Sequence, residues 1–177
     1  MAIGLQELPR STSQSGKPVQ KSNGLDPAFK PDMTSLDAVD SLTERIIGCA
    51  IEVHRVLGPG LLESVYRDSL QIELRAQGIA VERNKPVKLE YRGRLIGPRL
   101  WLDLHVDRRI VVEVKAVERM HPVYLAQVMT YLKLTGSPAG LLLNFNVTSL
   151  RGGIRRLTHP GLYVRGGRPD QTTGRVT

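Results

Sequence analysis

Cysteine is nearly absent: the chain carries one, Cys49. A single thiol closes no intramolecular disulfide and cannot build a Cys-rich zinc site or a four-cysteine iron–sulfur cluster. Cys49 falls within a helical apolar pattern and reads as a small buried hydrophobe. Long hydrophobic runs are also missing. A run such as Ala139-Gly140-Leu141-Leu142-Leu143 is far short of the roughly 20 residues that span a bilayer. Met1 to Arg10 lacks the basic region followed by an apolar region that marks a signal peptide. No phosphate loop occurs, since neither Gly93 nor Gly97 leads to a Gly-Lys-Ser/Thr ending. The four histidines, His54, His105, His121 and His159, have no metal-ligand spacing, which argues against zinc. The expectation is a soluble, cytoplasmic protein with no membrane partner.

What the chain has in excess is positive charge: +8 at neutral pH, with an isoelectric point near 10.0. That balance suggests a polyanionic partner, nucleic acid being the commonest. Its 177 residues suit one domain. Residues 1–35 are rich in Ser, Pro, Gly, Gln and Lys and poor in large apolar side chains, so a disordered leader is expected there. Residues 166–177 look alike and predict a flexible tail. The folded domain is expected over 36–165.

Within that domain, Leu42, Ile46, Cys49, Ala50, Val53 and Leu57 recur at helical spacing behind N-cap candidates at Asp40 and Ser41. Gly58-Pro59-Gly60 stops the run, and a second helix follows from Leu61 to about Gly78. Strands are predicted over 79–91, 95–106 and 109–117, with a turn at Arg92-Gly93-Arg94. His121-Pro122 opens a third helix that stops at Gly136. A short apolar strand occupies 139–144, and 153–157 suits a last one. The order ααβββαβ implies an α/β domain with a mixed sheet: an antiparallel meander, then a helical crossover to a parallel strand.

Ten residues separate Asp103 from Glu113-Val114-Lys115. Both stretches alternate, with Leu102, Leu104 and Val106 on one face and Asp103 and His105 on the other. Ile110, Val112, Val114 and Ala116 likewise oppose Glu113 and Lys115. A three-residue loop at Asp107-Arg108-Arg109 pairs Val106 with Ile110 and puts Asp103 opposite Glu113. A two-residue loop would mismatch the faces. Opposed Cβ atoms stand roughly 4.5–5.5 Å apart, and carboxylates that close repel unless a cation intervenes or one is protonated. With Lys115 on the same face, the set suits a divalent ion and a phosphate. It equally suits a solvated charged face of a hairpin.

Two helices add candidates. Glu63 and Tyr66 share a face of the second helix; Glu63 also suits the helix dipole and an ion pair with Arg67. In the third helix Gln127 and Tyr131 stack four residues apart among apolar neighbours, and a buried amide there must find a partner. That partner is either a backbone carbonyl or a group of a functional site. Arg108-Arg109 and Arg155-Arg156 are candidate phosphate contacts or solvated charges. His105 shares the Asp103 face by alternation, and His54 is read as a packed helical histidine.

Gly60-Leu61-Leu62-Glu63-Ser64-Val65-Tyr66 reads Gly-x-x-Glu-x-x-Tyr. With Glu113-Val114-Lys115-Ala116-Val117, Gln127-Val128-Met129-Thr130-Tyr131 and Leu142-Leu143-Asn144-Phe145-Asn146, the chain from about Leu42 to Leu157 resembles the GxxExxY protein family, a branch of the PD-(D/E)XK nuclease-like superfamily. Trp101-Leu102 stands where the superfamily name expects proline directly before the aspartate. The resemblance implies a restriction-endonuclease-like core in which Asp103 and Glu113, with the Val114 carbonyl and with Glu63 from the preceding helix, hold Mg²⁺, Mn²⁺ being able to substitute. Lys115 would orient the attacking water and stabilise charge on the phosphate. Gln127 and Tyr131 would steady the lysine or the nucleic-acid backbone, and Tyr66, Arg108, Arg109, Arg155 and Arg156 would contact nucleic acid. The expected activity is metal-dependent hydrolysis of nucleic acid, DNA foremost. The competing expectation is a silent module of the same fold that binds nucleic acid or protein, or a structural subunit of a larger assembly. A homo-oligomer is left open and not indicated.

Overall fold

The computed structural model describes residues 35–161. The expected leader and tail therefore fall outside the described residues, apart from Ser35. The elements run α1 (Ser35–Leu57), α2 (Glu63–Ala76), β1 (Val81–Tyr91), β2 (Arg94–Val106), β3 (Ile110–Lys115), α3 (Pro122–Thr135), β4 (Ala139–Asn144), a one-turn α4 (Leu150–Gly153) and β5 (Ile154–Thr158). This is the expected ααβββαβ series followed by a short helix and an edge strand. Helix α1 begins ahead of the Asp40–Ser41 cap read from the sequence, because Val39 is already buried in the core and extends the apolar stripe toward the N-terminus.

The five strands lie in the order β1-β2-β3-β4-β5, with β3 and β4 parallel and every other pair antiparallel. Helix α3 is the crossover between the parallel pair. Strands β3 and β4 read as near-continuous apolar runs because both their faces are covered. On one face α1 and α2 bury Ile46, Tyr66 and Leu70 against Leu104, Val112 and Leu141. On the other, Val128, Tyr131 and Leu132 of α3 bury Leu102, Val111 and Leu142. A Cβ on Gly140 would stand 2.7 Å from Val128 Cγ1, so glycine in β4 permits α3 to lie that close. Pro122 at the start of α3, His121 accepting from the Val123 amide at 3.3 Å and Gly136 at φ 67° give α3 the ends its sequence signals. Among the described residues no helix is long and apolar enough to cross a membrane. The architecture is an α/β, restriction-endonuclease-like core with a mixed sheet between helices.

The β2–β3 hairpin has the three-residue loop that parity required: Val106 pairs with Ile110, and the Arg109 amide bonds the Val106 carbonyl at 2.9 Å. The alternation expected of β2 fails at one place. Leu104 and Val106 pack under α1 and α2, whereas Leu102 packs under α3. The strand turns over at Asp103. The facing position in β1 is Asn84, which takes φ 48° between the pairs Arg83–Leu104 and Lys85–Leu102. The Asp103 carboxylate in turn accepts the Val114 amide of β3 at 2.9 Å, a side chain standing where a strand carbonyl would otherwise bond.

Candidate active site

Four elements meet at the C-terminal end of β3. Helix α2 brings Glu63 in its first turn and Arg67 one turn on. Strand β2 brings Asp103 at its kink, β3 ends in Glu113 and Lys115, and α3 brings Tyr124 in its first turn. Lys115 Nζ donates to Glu113 Oε1 at 2.6 Å, stands 3.8 Å from Glu63 Oε1, and lies 5.4 Å from the centre of the Tyr124 ring. Asp103 is held from two sides, by Arg67 at 2.8 Å and by the Val114 amide. One turn further along α3, Gln127 donates to the Tyr131 hydroxyl at 2.9 Å.

The electrostatics follow from three carboxylates sharing a partly dry corner. Glu113 is 3% exposed. Burial first, and the Asp103 charge second, push its carboxyl up to about 7 against the pull of Lys115. Glu63 is also raised, chiefly by desolvation and less by Asp103, with Lys115 opposing. Burial pulls Lys115 down, but the Glu113 hydrogen bond and the surrounding carboxylates outweigh it, so its pKa is raised. Lys115 is therefore an ammonium at neutral pH. Burial raises the Tyr131 phenol, and Glu113 and Asp103 add to that against the Gln127 bond.

The structure thus brings Glu63, Asp103, Glu113, Val114 and Lys115 together, with Gln127 and Tyr131 paired nearby. Arg67 does not form the expected i,i+4 pair with Glu63; it crosses to Asp103, whose charge is nearer and better buried. Tyr66 departs from its expected contact with nucleic acid. It is fully buried and stacks on Phe145, and its hydroxyl donates to the Gly58 carbonyl at 2.6 Å while accepting the Leu61 amide at 3.0 Å. With no surface to offer a phosphate, it ties the Gly58-Pro59-Gly60 turn to α2 and so sets where Glu63 stands.

Arg108 and Arg109 are not part of this corner. They sit in the loop before β3, roughly 20 Å of strand away from Lys115, and pair with Glu82 at 3.3 Å and Asp107 at 3.6 Å. Arg155 lies at the same end of the sheet but two strands over, donating to the Gly152 and Ile154 carbonyls, and Arg156 pairs with Asp40 of α1. His105 turns away as well, buried between Lys85 and Ser137. Two residues of the site, Tyr124 and Asn144, were given no role in the sequence, and Arg67 was given the wrong partner. Asn144 accepts the Val117 amide at 3.0 Å and donates to the Val117 carbonyl at 2.8 Å, clamping the chain just past Lys115. Its signal was legible, a lone amide closing an otherwise apolar strand.

Among the described residues no three His, Cys, Asp or Glu side chains already stand in metal-holding array; Arg67 and Lys115 are the cations beside these carboxylates. The donor set nonetheless fits a hard cation. Glu113 Oε2 is buried and has no hydrogen-bond partner, and an ionised carboxylate offers about four acceptor sites, so each Asp103 oxygen keeps a free one. An orphaned carboxylate oxygen between like charges is what a divalent ion with oxygen ligands would satisfy.

Over residues 40–157 the chain matches a family model of the PD-(D/E)XK nuclease superfamily. No curated protein and no solved structure matches it. The matched span covers α1 from Asp40 through β5 to Leu157, every element that supplies the corner around Lys115. The chain belongs to the PD-(D/E)XK nuclease superfamily.

Proposed function

We propose that this protein is a Mg²⁺-dependent phosphodiesterase of the GxxExxY branch that hydrolyses nucleic acid, DNA in the first instance, in the cytoplasm. The observation that carries the reading is the spare, buried Glu113 oxygen beside Asp103 and Glu63, with the Lys115 ammonium among them. Glu63, Asp103, Glu113 and the Val114 carbonyl would hold the ion, and Mn²⁺ would substitute for Mg²⁺. When bound, the ion supplies charge neutralisation at the phosphate and a water acidified for in-line attack. Lys115, kept protonated by its carboxylate neighbours, directs its charge at the phosphate oxygens as they gain negative charge. Arg67 and the Val114 amide fix the Asp103 rotamer, so the acceptor is oriented before substrate arrives. The Gln127–Tyr131 pair borders the corner from α3 and steadies the lysine side of it.

The test is cleavage of short labelled single- and double-stranded DNA and RNA with Mg²⁺, with Mn²⁺ and with EDTA. Cleavage that EDTA abolishes and Lys115→Ala cripples supports the reading. Binding of one of these substrates without cleavage under any metal would establish the silent binding module instead.

A further inference from the structure

Strands β1 and β2 are 11 and 13 residues long, but β3 is 6 and pairs with β2 only over Leu104–Val106. The outer part of the β1–β2 hairpin therefore runs on past the catalytic corner as an arm. Its root packs on α3 through Val87, Leu100 and Leu102. Beyond Val87 the ladder shifts register, then closes in a two-residue turn with Arg92 at φ 50° and Gly93 at φ 75°. That pair of left-handed residues makes a tight turn suited to the strand twist, so the tip is built rather than loose.

The arm's surface is unusual for this chain. Aromatics make up 5% of the sequence, yet Tyr91 at the tip is 60% exposed and Trp101 at the root is 50% exposed. Leu95 is exposed beside the tip. Lys88, Arg92 and Arg94 stand out around them against Glu90, and among the described residues none of the three forms an ion pair. Arg92 lies 5.3 Å over the Tyr91 ring, presenting a cation and a flat face together. Trp101 is two residues from Asp103, about 7 Å along the strand.

Exposed rings interleaved with unpaired cations match single-stranded nucleic acid: the cations track phosphates and the rings accept unpaired bases, whose faces are hidden in a duplex. A second copy of this arm would bring like charges together, which disfavours self-pairing along the free β2 edge. We infer that the β1–β2 arm is a binding platform for single-stranded nucleic acid, with a base on Trp101, which the register puts on the opposite face of the hairpin from Tyr91, so that the phosphate presented to Asp103 and Glu113 belongs to an unpaired stretch. The placement beside a scissile phosphate rests on the nuclease reading; the platform itself does not.

Trp101 is the single tryptophan, so its fluorescence reports one place. The full chain is titrated in EDTA with oligodeoxythymidylate, oligouridylate and a blunt DNA duplex. Either single strand should quench Trp101 and bind more tightly than the duplex, and the two oligonucleotides decide between DNA and RNA. Trp101→Ala should weaken single-strand binding about tenfold, by the usual worth of one base–aromatic stack. Trp101→Phe should retain most of the affinity and serves if the alanine variant does not fold. Unmoved fluorescence with unchanged affinity in the variants overturns the inference, as does preference for the duplex. So does a fluorescence change driven by protein concentration alone, which would mean the arm pairs copies. Cleavage without quenching overturns the platform and leaves the nuclease standing; quenching without cleavage under any metal does the reverse.

Discussion

Lys115 donates to one oxygen of Glu113 at 2.6 Å and leaves the other oxygen of that carboxylate buried without a partner. Two cations thus serve three acids, Lys115 beside Glu63 and Glu113 and Arg67 on Asp103, and they leave one carboxylate oxygen unsatisfied. The corner is under-neutralised by construction, as a site must be if a second cation is to gain from entering it.

Lys115→Ala should lower the cleavage rate by about 10²–10³, the usual worth of one well-placed group acting on a developing oxyanion. Affinity for uncleaved nucleic acid in EDTA should change little, because the cation acts on the transition state. Single-turnover rates set beside equilibrium binding separate the two. Equal rates in wild type and variant would place the activity elsewhere in the protein or in a contaminant.

Metal affinity should depend on pH through Glu113. Its carboxyl is raised to about 7 by burial and Asp103, and the ion must displace that proton. Apparent Mg²⁺ affinity should climb with pH up to about 7 and level off above it. Calorimetry at pH 6 in buffers of different ionisation heat should show a proton released, and Glu113→Gln should abolish both effects. Affinity that is flat between pH 5.5 and 8 would mean Glu113 is not a ligand.

The backbone of this site was legible because successive side chains of a strand point to opposite faces, so that loop length fixes which residues pair. Val106 opposite Ile110 followed from parity alone, and the fold order followed from helix stops at Gly58-Pro59-Gly60 and Gly136. What alternation could not show was the turnover of β2 at Asp103, which depends on Asn84 in the neighbouring strand, a contact distant in sequence. Arg67 was misplaced for a related reason: a local i,i+4 rule sees Glu63, whereas the stronger partner, Asp103, is 36 positions away. Tyr66 was read as a surface group since nothing local distinguishes a tyrosine that faces a ligand from one that braces its own turn.

Removing Arg67 should uncouple stability from metal binding. Arg67 and Asp103 are 17% and 12% exposed, so Arg67→Met strands a largely buried carboxylate at a cost of about 1–3 kcal/mol. The same change removes a cation that competes for Asp103. Mg²⁺ should therefore raise the melting temperature of Arg67→Met more than that of wild type. A smaller Mg²⁺ shift in the variant would show that Arg67 orients Asp103 for the ion rather than competing with it.

Tyr66→Phe tests the brace. The hydroxyl bridges Gly58 and Leu61 while the ring stays stacked on Phe145. Its loss should cost about 1–2 kcal/mol in urea unfolding. Nucleic-acid affinity in EDTA should be unaltered, since no part of the residue is exposed. A selective loss of affinity at unchanged stability would restore Tyr66 to the binding surface.

His105 governs the acid side of stability. Lys85 is an obligate donor, so His105 Nδ1 accepts from it at 2.9 Å and the ring proton lies on Nε2, donating to Ser137 Oγ at 3.0 Å. Ser137 then donates to Thr135 Oγ1 at 2.7 Å, and Thr135 to the Tyr131 carbonyl at 2.8 Å. The Lys85 bond needs a neutral imidazole, because a protonated ring has no acceptor at Nδ1. Burial first and Lys85 second hold the His105 pKa down to about 4. The unfolded chain takes up this proton near pH 6.5 and the folded one does not until about 4, so this contribution to stability is lost as pH falls through that window. Glu113 acts in the opposite sense, since the folded carboxyl holds its proton to higher pH than the unfolded one and loses stability as pH rises toward 7. In the metal-free protein the two slopes offset each other, and a nearly flat pH profile would hide both. His105→Gln separates them. At pH 7.5 it should cost about 1–3 kcal/mol by leaving Ser137 and Lys85 imperfectly paired. The gap to wild type should narrow toward pH 5, where the variant retains only the Glu113 slope and gains stability on acidification. Urea midpoints at those two pH values measure the gap, and a gap that stays constant or widens in acid would show that His105 is protonated in the native state.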